Sequence, residues 1–284
     1  MTHSPATVAP EAVVLPAFTD AEYTGDASEV DPWLDRYDFD RELALAGLPY
    51  PLYYATNSGL AVAPTGIGKA AAATTVSALA AGQAVDLGDA TILSVGIAGC
   101  RPAAGTLGSV FVADRVVDWD IKLRIGETTG RMQWLADDYL WHLDESLVDR
   151  ALAAASDVQL ADSDRATEIR QRYDDSRTPA VDVGPTVCGD EVYHGETTAQ
   201  QVDALCDSYG IDDYATTQME DAGTATALDR FDLLDQYLSI RAAANFDREP
   251  AGGDPATSIE ADVFDLGIEN AVRVGQAVVD EFVD

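Results

Sequence analysis

The chain has 284 residues and 47% hydrophobic content, enough to bury a substantial core in one large α/β domain or two smaller ones. Its 50 acidic and 17 basic residues give a net charge of −33, with 36 Asp and only two Lys. This balance excludes nucleic acids and anionic lipid surfaces as partners, because binding their phosphates requires clustered Lys and Arg. It is typical of proteins that work in molar salt, where the Debye length shrinks to about 3 Å, so most carboxylates are interpreted as solvated surface.

Cysteine and histidine are too few and too scattered to form a disulfide framework or a metal cluster. The three cysteines include no CxxC pair, and the three histidines lie far apart in the sequence. We therefore predict no metal and no other cofactor. No apolar run reaches about 18 residues, and the N-terminus lacks the basic start and apolar core of a signal peptide. These features predict a soluble, cytoplasmic protein without membrane insertion.

The N-terminal half begins with a polar lead, residues 1–11, that we predict to be disordered, followed by a single domain over residues 12–284. Residues 13–18 form an apolar run that predicts a short buried strand. An acidic, aromatic segment without clear periodicity then extends to Leu48. A hairpin is predicted where two β-like runs flank an Asn-Ser-Gly turn, and an Ala-rich helix closed by Gly82 should follow. The ranges are 52–55 and 59–63 for the hairpin and 68–81 for the helix.

The rest of the chain alternates strands with helices. Strands are predicted at 91–95, 108–113, 181–188, 213–218 and 236–243. Helices are predicted around 145–155, 162–173, 197–209, 221–230 and 266–282. This alternation predicts an α/β fold of three layers, α/β/α, with a mixed, mostly parallel central sheet covered by helices on both faces.

Three polar motifs follow predicted strands by only a few positions. Gly96, Glu220 and Asn245 mark these motifs. Open α/β sheets bind ligands outside the carboxyl ends of their strands, so we expect the three motifs to converge on one pocket.

The motif Thr217-Gln218-Met219-Glu220-Asp221-Ala222-Gly223, together with residues 65–69 and 94–99, resembles the nucleoside phosphorylase superfamily. Members of that superfamily break the bond between a nucleobase and its ribose. Within it, the likeness is to the purine nucleoside permease family and runs from about Val13 to the C-terminus. The resemblance implies that Met219 lies under the ribose and that Glu220 accepts hydrogen bonds from its 2′ and 3′ hydroxyls. The alternative is that Glu220 only complements a helix dipole.

The stretch Ile240-Arg241-Ala242-Ala243-Ala244-Asn245 resembles the superfamily's Arg-x-x-Ser-Asp, with Asn in place of the acidic base-binding residue. An amide can bond N7 and O6 of a 6-oxopurine but cannot deliver a proton, which favours inosine or guanosine. Asp247 is a second candidate acid, and a turn role for Asn245 stays open. Arg241, inside an apolar strand, needs an anionic partner. The resemblance places it at the water or phosphate side of the site, and a structural ion pair is the alternative.

The turn Gly96-Ile97-Ala98-Gly99 resembles the superfamily's Gly-x-Ala-Gly, whose backbone amides approach the ribose and the nucleophile. Ile97 and Ser94 stand where phosphorylases carry anion-binding residues, so the resemblance does not identify a phosphate site. The candidates to replace the missing anion-binding side chain are Arg101, Arg115 and Arg124.

Three further segments supply candidates through the resemblance. In residues 188–194, Tyr193 is the candidate for stacking on the base, with Val192 beside it, and His194 is the candidate for reaching the 5′-hydroxyl or the base; a core role for Tyr193 stays open. After the first strand, where hydrolytic relatives keep a carboxylate that activates water, Asp20 and Glu22 occur, and Glu22 is the candidate.

The segment Gly66-Ile67-Gly68-Lys69 resembles a stretch of the hydrolase branch that opens a helix. It lacks the spacing of a P-loop, so we interpret it as packing and turn geometry, with Lys69 able to assist an anion.

Together these features predict an enzyme that binds purine nucleosides and cleaves their N-glycosidic bond. Phosphorolysis with inorganic phosphate as co-substrate is favoured over hydrolysis, and a nucleoside-binding protein that takes part in uptake is the alternative. The predicted catalytic residues are Asn245, Arg241 and Glu22. A homo-oligomer is expected, because relatives often complete their pockets across a subunit contact.

Overall fold

The structure is a computed structural model, and it describes residues 8–20, 27–126, 128–135, 139–259 and 262–283. Its strands are β1 Ala12–Leu15, β2 Arg41–Leu43, β3 Leu52–Ala55, β4 Leu60–Val62, β5 Thr91–Cys100, β6 Val110–Val112, β7 Arg115–Asp118, β8 Leu123–Ile125, β9 Thr128–Gly130, β10 Leu140–His142, β11 Val181–Val183, β12 Thr186–Cys188, β13 Thr216–Gln218 and β14 Tyr237–Phe246. Its helices are α1 Asp31–Arg36, α2 Lys69–Ala81, α3 Glu145–Ala155, α4 Asp164–Arg172, α5 Glu196–Ser208, α6 Asp221–Arg230, α7 Pro255–Ser258 and α8 Phe264–Phe282, with a 3₁₀ turn at Leu234–Gln236.

Twelve of the described strands join in one mixed sheet. The order is β10-β7-β12-β13-β5-β1-β4-β3-β2, and β14 lies beside β5 and connects through β6 to β11. Parallel pairing predominates: the parallel pairs include β1 with both β4 and β5, β12 with both β7 and β13, and the long pair of β5 with β14. The predicted mixed, mostly parallel sheet is therefore confirmed.

The centre of the sheet is covered by two groups of helices. Helix α8 packs on β5 and β14 and also contacts α1 and α3, whereas α6 packs against α2, β7 and β14. Strand β14 is buried at nine of its ten positions, and its apolar residues include Leu238 and Ile240. A strand buried in this way is covered on both faces, which agrees with the predicted layers.

The hairpin and the long helices lie close to their predicted positions, but β5 and β14 extend further than the sequence predicts, whereas β13, before Glu220, is shorter than the predicted 213–218. Strand β5 continues to Cys100, so Gly96 to Gly99 form the end of a strand rather than a turn after it. Asn245 likewise lies inside β14, next to a register shift that follows Ala243. The predicted strand at 181–188 is two strands, because Gly184 and Pro185 interrupt it.

The N-terminal segment joins the fold earlier than predicted. Val8 is buried, pairs with Val85 and donates its N–H to the Ala84 carbonyl at 2.9 Å. The acidic segment without periodicity contains α1 and β2, which the sequence does not predict. Ser28 lies just before α1, and its hydroxyl oxygen accepts hydrogen bonds from the backbone N–H groups of Val30 and Asp31. In the part of the chain that the structure describes, no helix combines the length and apolarity needed to cross a bilayer.

Candidate functional site

A pocket of about 190 Å³ lies where several strands end and several helices begin. It is lined by Ala17, Phe18, Glu29, Ile67, Ile97, Ala98, Gly99, Trp119, Val187, Gly189, Glu191, Val192, Tyr193, Thr217, Gln218, Met219, Glu220, Asn245 and Phe264. The sequence motifs around Ile97, Glu220 and Asn245 therefore meet at one pocket, as their positions after strands predict. Met219 and Ala98 also line it, and their predicted contacts with the ribose and the nucleophile stay predictions.

Glu220 is aimed into the pocket by the start of α6. The side-chain oxygen of Gln218 accepts the backbone N–H groups of Glu220 at 2.7 Å and Asp221 at 2.9 Å, so this amide caps the helix. The Glu220 carboxylate accepts from the N–H of Gly68 at 3.0 Å and from Nη1 of Arg241 at 3.4 Å. Gly68 reaches it with a φ of +93°, which only glycine adopts readily. The four lone pairs of the carboxylate are not all used by these bonds, so it can accept from a further donor.

Arg241 lies behind Glu220 and does not line the pocket. It is 2% exposed, forms an ion pair with Asp221 and donates from Nη2 to Ser94 Oγ at 2.7 Å. Asp221 is fully buried and also accepts from the hydroxyls of Tyr237 at 3.0 Å and Ser239 at 2.5 Å. Of the two interpretations of the sequence, these contacts agree with the structural ion pair, because the donors of Arg241 are directed to Asp221, Glu220 and Ser94.

Glu29 is a buried carboxylate of the pocket that the sequence analysis missed. Its two oxygens accept the backbone N–H groups of Ala17 at 2.8 Å and Ile97 at 2.7 Å. The side chain occupies the space beside Gly96, where a Cβ would lie within 2.8 Å of both carboxylate oxygens. Gly96 does not line the pocket itself, so its predicted direct contact with the ligand is replaced by making room for Glu29.

Burial raises the pKa values of the two buried carboxylates of the pocket, Glu29 and Glu220. The pKa of Glu29 rises from its ordinary 4.5 to about 7, mainly because the carboxylate is removed from water, and the charge of Arg241 opposes the shift. The negative charge of Glu220 raises it further. The pKa of Glu220 is also raised by burial, against the effects of Arg241 and the Gly68 N–H group. Glu29 can therefore exchange a proton near neutral pH.

The two residues predicted to activate water are Asp20 and Glu22. Glu22 lies outside the described residues, and Asp20 is exposed and does not line the pocket. Among the described residues between β1 and α1, Glu29 is the carboxylate that lines the pocket.

Asn245 presents its amide to the pocket. One Nδ2 hydrogen goes to the carbonyl oxygen of Phe246 at 2.9 Å, which fixes the orientation of the amide and leaves one N–H and Oδ1 for a ligand. Asp247, the second candidate acid, points elsewhere. It is fully buried and accepts from Tyr214 at 2.5 Å and Arg248 Nε at 2.9 Å.

Two aromatic side chains, Trp119 and Tyr193, also line the pocket. Tyr193 packs against Trp119, with ring centroids 5.6 Å apart and planes at 55°. The Tyr193 hydroxyl lies 3.2 Å from that of Tyr214. Val192 lines the mouth and is 73% exposed. Tyr193 is thus both a core residue and a pocket residue, so the two interpretations of the sequence are compatible.

His194 and the candidate anion ligands lie away from the pocket. The two ring nitrogens of His194 contact the Phe246 carbonyl at 2.9 Å and Ser258 Oγ at 2.7 Å, which corrects its predicted contact with a ligand. The arginines proposed to replace a phosphate ligand contact protein groups instead: Arg101 pairs with Asp213, Arg115 with Asp114, and Arg124 donates to Gln201.

The segment ending at Lys69 has the predicted role of a turn that opens α2. Its Lys69 side chain lies 2.8 Å from Asp118 and 2.7 Å from Asp120, and its backbone N–H donates to Asp190 at 2.8 Å. The ammonium group is directed to these carboxylates and does not line the pocket. Ile67, from the same turn, does line it.

Comparison with known proteins identifies the family of the chain and proteins that share its fold. The family model described as purine nucleoside permease matches residues 9–139 and 127–284. The chain belongs to the purine nucleoside permease family. A probable purine nucleoside permease of Schizosaccharomyces pombe is 28% identical over 305 residues, covering 90% of this chain and 86% of the relative. The purine nucleoside permease of Candida albicans is 25% identical, covering 90% and 72%.

Solved structures of enzymes share the fold of this family member. A 5′-methylthioadenosine/S-adenosylhomocysteine nucleosidase of Colwellia psychrerythraea in complex with adenine has a TM-score of 0.66 and 17% identity, covering 98% of this chain and 96% of its own. Futalosine hydrolase of Helicobacter pylori has a TM-score of 0.65 and 17% identity, covering 97% and 98%. At this identity the likeness establishes the α/β fold.

Proposed function

We propose that the protein is a nucleoside hydrolase that cleaves the N-glycosidic bond of purine nucleosides with water as the nucleophile. The observation that carries the proposal is the pair of buried carboxylates, Glu29 and Glu220, in a pocket whose described lining contains neither Lys nor Arg. The family name supports a purine nucleoside as the substrate, and the structural neighbours named nucleosidase and hydrolase support cleavage by water.

Glu220 suits the sugar. An ionised carboxylate is an acceptor only, so it can receive hydrogen bonds from both the 2′ and 3′ hydroxyls. Arg241 and the Gly68 N–H favour the ionised form and hold the group in place. These bonds strengthen as the ribose acquires oxocarbenium character in the transition state.

Glu29 suits the activation of water. A pKa of about 7 lies near the optimum for a general base at neutral pH, and the two backbone N–H groups fix its orientation. The carboxylate takes a proton from water, and the water oxygen forms a bond to C1′. The electrons of the C1′–N9 bond pass to the base, which takes up a proton from solvent.

Water is a better nucleophile than phosphate for this pocket. A phosphate dianion needs positive charge, but Arg241 is held by Asp221, Glu220 and Ser94. Lys69 is held by Asp118 and Asp120. Phosphorolysis, which the sequence favours, would place this anion beside two carboxylates that repel it.

Asn245 and Tyr193 suit a purine of the 6-oxo type. The free N–H and Oδ1 of Asn245 can bond O6 and N7, and the ring of Tyr193 provides a surface for the base. We therefore propose inosine or guanosine as the preferred substrate over adenosine.

The test is incubation of the purified protein with inosine in molar salt, with and without phosphate, followed by analysis of the sugar product. We expect free hypoxanthine and ribose at the same rate in both mixtures. Release that requires phosphate and yields ribose 1-phosphate would contradict the proposal. The E191Q variant is the control, because Glu191 also lines the pocket but is exposed.

A nucleoside-binding protein that takes part in uptake is the second candidate. One observation favours it: an amide at Asn245 cannot give the departing base a proton, which weakens catalysis. The curated relatives are also named permeases. Saturable binding of inosine without release of base would support this candidate against the hydrolase.

A further inference from the structure

Trp119 combines almost complete burial with an unused hydrogen-bond donor at the pocket. The side chain lines the pocket, yet the residue is only 1% exposed. Its indole Nε1 is buried and has no hydrogen-bond partner among the described residues. A buried N–H without a partner is costly, so such a group at a binding site indicates an acceptor that arrives with the ligand.

Gly189 shows where the N–H edge lies. This glycine also lines the pocket, and a Cβ on it would lie 2.6 Å from Trp119 Nε1. Any side chain at residue 189 would cover that edge. The glycine therefore lets the indole N–H lie directly against this part of the pocket wall.

The rest of the indole ring is already in contact with protein groups. Lys122 Nζ lies 3.1 Å from the ring centroid, over the face, and Tyr193 packs against the ring. A cation over the ring is attracted by its π electrons and withdraws electron density from it, which strengthens the N–H as a donor. The N–H edge is the polar part of Trp119 that remains for a ligand.

We propose that Trp119 reads the base by donating its indole N–H to ring nitrogen N3 of the purine. The inference rests on the proposed function, because it takes a 6-oxopurine nucleoside as the ligand. In such a base Asn245 is assigned N7 and O6, and N1 carries a proton. N3 is then the ring nitrogen left as an acceptor.

The test compares binding of inosine, 3-deazainosine and 7-deazainosine. Dissociation constants are measured for the slowly reacting E29Q protein and for E29Q combined with W119F, which keeps an aromatic ring but removes the N–H. We expect W119F to weaken binding of inosine and 7-deazainosine about tenfold and to leave binding of 3-deazainosine unchanged. W141F is the matched control, because Trp141 lies on β10 and does not line the pocket.

Two results would overturn the inference: unchanged affinity of W119F for inosine, or an equal loss for all three ligands. If W119F does not fold, proton NMR of the wild-type indole N–H groups decides. One resonance should move downfield with inosine and not with 3-deazainosine, and equal behaviour with both ligands would contradict the assignment. Failure of the wild type to release base would reject the hydrolase while leaving this comparison of affinities valid.

Discussion

Glu220 and Glu29 carry the same functional group, but the protein fixes them for different tasks. Glu220 is held by a guanidinium and a backbone N–H, whereas Glu29 is held by two backbone N–H groups. Burial is the largest influence on both pKa values and Arg241 lowers both, but only Glu220 accepts a hydrogen bond from that guanidinium, whereas the pKa of Glu29 reaches about 7. The first is therefore suited to binding and the second to proton transfer.

Replacing Glu220 tests the sugar contact. Glu220→Ala removes the acceptor for both ribose hydroxyls, so we expect kcat/KM for inosine to fall by about 100-fold or more. Glu191→Gln, which alters an exposed carboxylate of the same pocket, should change it by less than about threefold. Steady-state kinetics on the two variants measures the difference. Full activity of the alanine variant would remove Glu220 from the site.

Replacing Glu29 tests the general base through the pH profile. The base must be ionised, so kcat/KM of the wild type should rise with pH to a plateau, with a midpoint near 7. Glu29→Gln should lose most activity and this rising limb, because it cannot accept the proton. A variant that kept the same limb would show that another group titrates.

The same carboxyl should also make stability depend on pH. The folded pKa of Glu29, about 7, lies above its ordinary 4.5, so the folded state holds the proton more tightly. The stabilisation of the folded state by this tightly held proton is fully present below pH 4.5 and is lost as the pH rises through 7. Relative to Glu29→Gln, the wild type should lose up to about 3 kcal/mol of unfolding free energy between pH 4.5 and 8. A difference that does not vary with pH would contradict the raised pKa.

The sequence could predict only part of this residue chemistry. Glu220, Asn245 and Tyr193 lie in recognisable motifs, and all three line the pocket. Glu29 is one of 50 acidic residues, in a segment without periodicity, and only its contacts with Ala17 and Ile97 distinguish it. Trp119 follows a short strand and gives no local signal of an unpaired N–H group.

At the scale of elements, a buried ion pair connects α6 to β14. Asp221 is fully buried at the start of the helix, and Arg241 in the strand directs Nε and Nη2 to it. Removing one member leaves the other as an uncompensated buried group. Asp221→Asn should therefore lower the unfolding free energy by about 3–5 kcal/mol, measured by denaturant titration. Asp229→Asn, at an exposed position of the same helix, should have almost no effect, and equal effects would contradict the account.

Strand β5 shows why the elements were easier to predict than their ends. Its apolar first half was recognisable, but Gly96 and Gly99 gave the second half the appearance of a turn. These glycines are required by tertiary contacts, since side chains there would collide with Glu29 and Thr217. The local propensity of these glycines therefore indicates a turn, whereas packing in the sheet selects a strand.

A methyl group at Gly96 tests this reading of the strand. Gly96→Ala would bring a Cβ within 2.8 Å of both Glu29 oxygens, so the carboxylate must move. We expect activity to fall at least tenfold while the fold is retained, measured by kinetics and circular dichroism. Gly130→Ala, where a Cβ meets nothing within 4 Å, is the control and should retain activity. Equal activities of the two variants would contradict the close contact.

At the scale of the whole molecule, the charge of −33 opposes folding in dilute salt. Shortening the Debye length from about 10 Å at 0.1 M to about 3 Å at 1 M reduces repulsion among surface carboxylates. We predict that the midpoint of thermal unfolding rises steadily between 0.1 and about 2 M sodium chloride. Sucrose at matched osmolality is the control for solvent exclusion, and a midpoint that does not respond to salt would contradict the prediction.

In the proposed complex, one pocket holds the ribose against Glu220 and the base against Asn245. A crystal structure of the Glu29→Gln variant with inosine measures this directly. We predict both ribose hydroxyl oxygens within about 3 Å of the Glu220 carboxylate, and the Asn245 amide at the N7 and O6 edge of the base. Inosine bound outside this pocket, or with its sugar turned away from Glu220, would contradict the account.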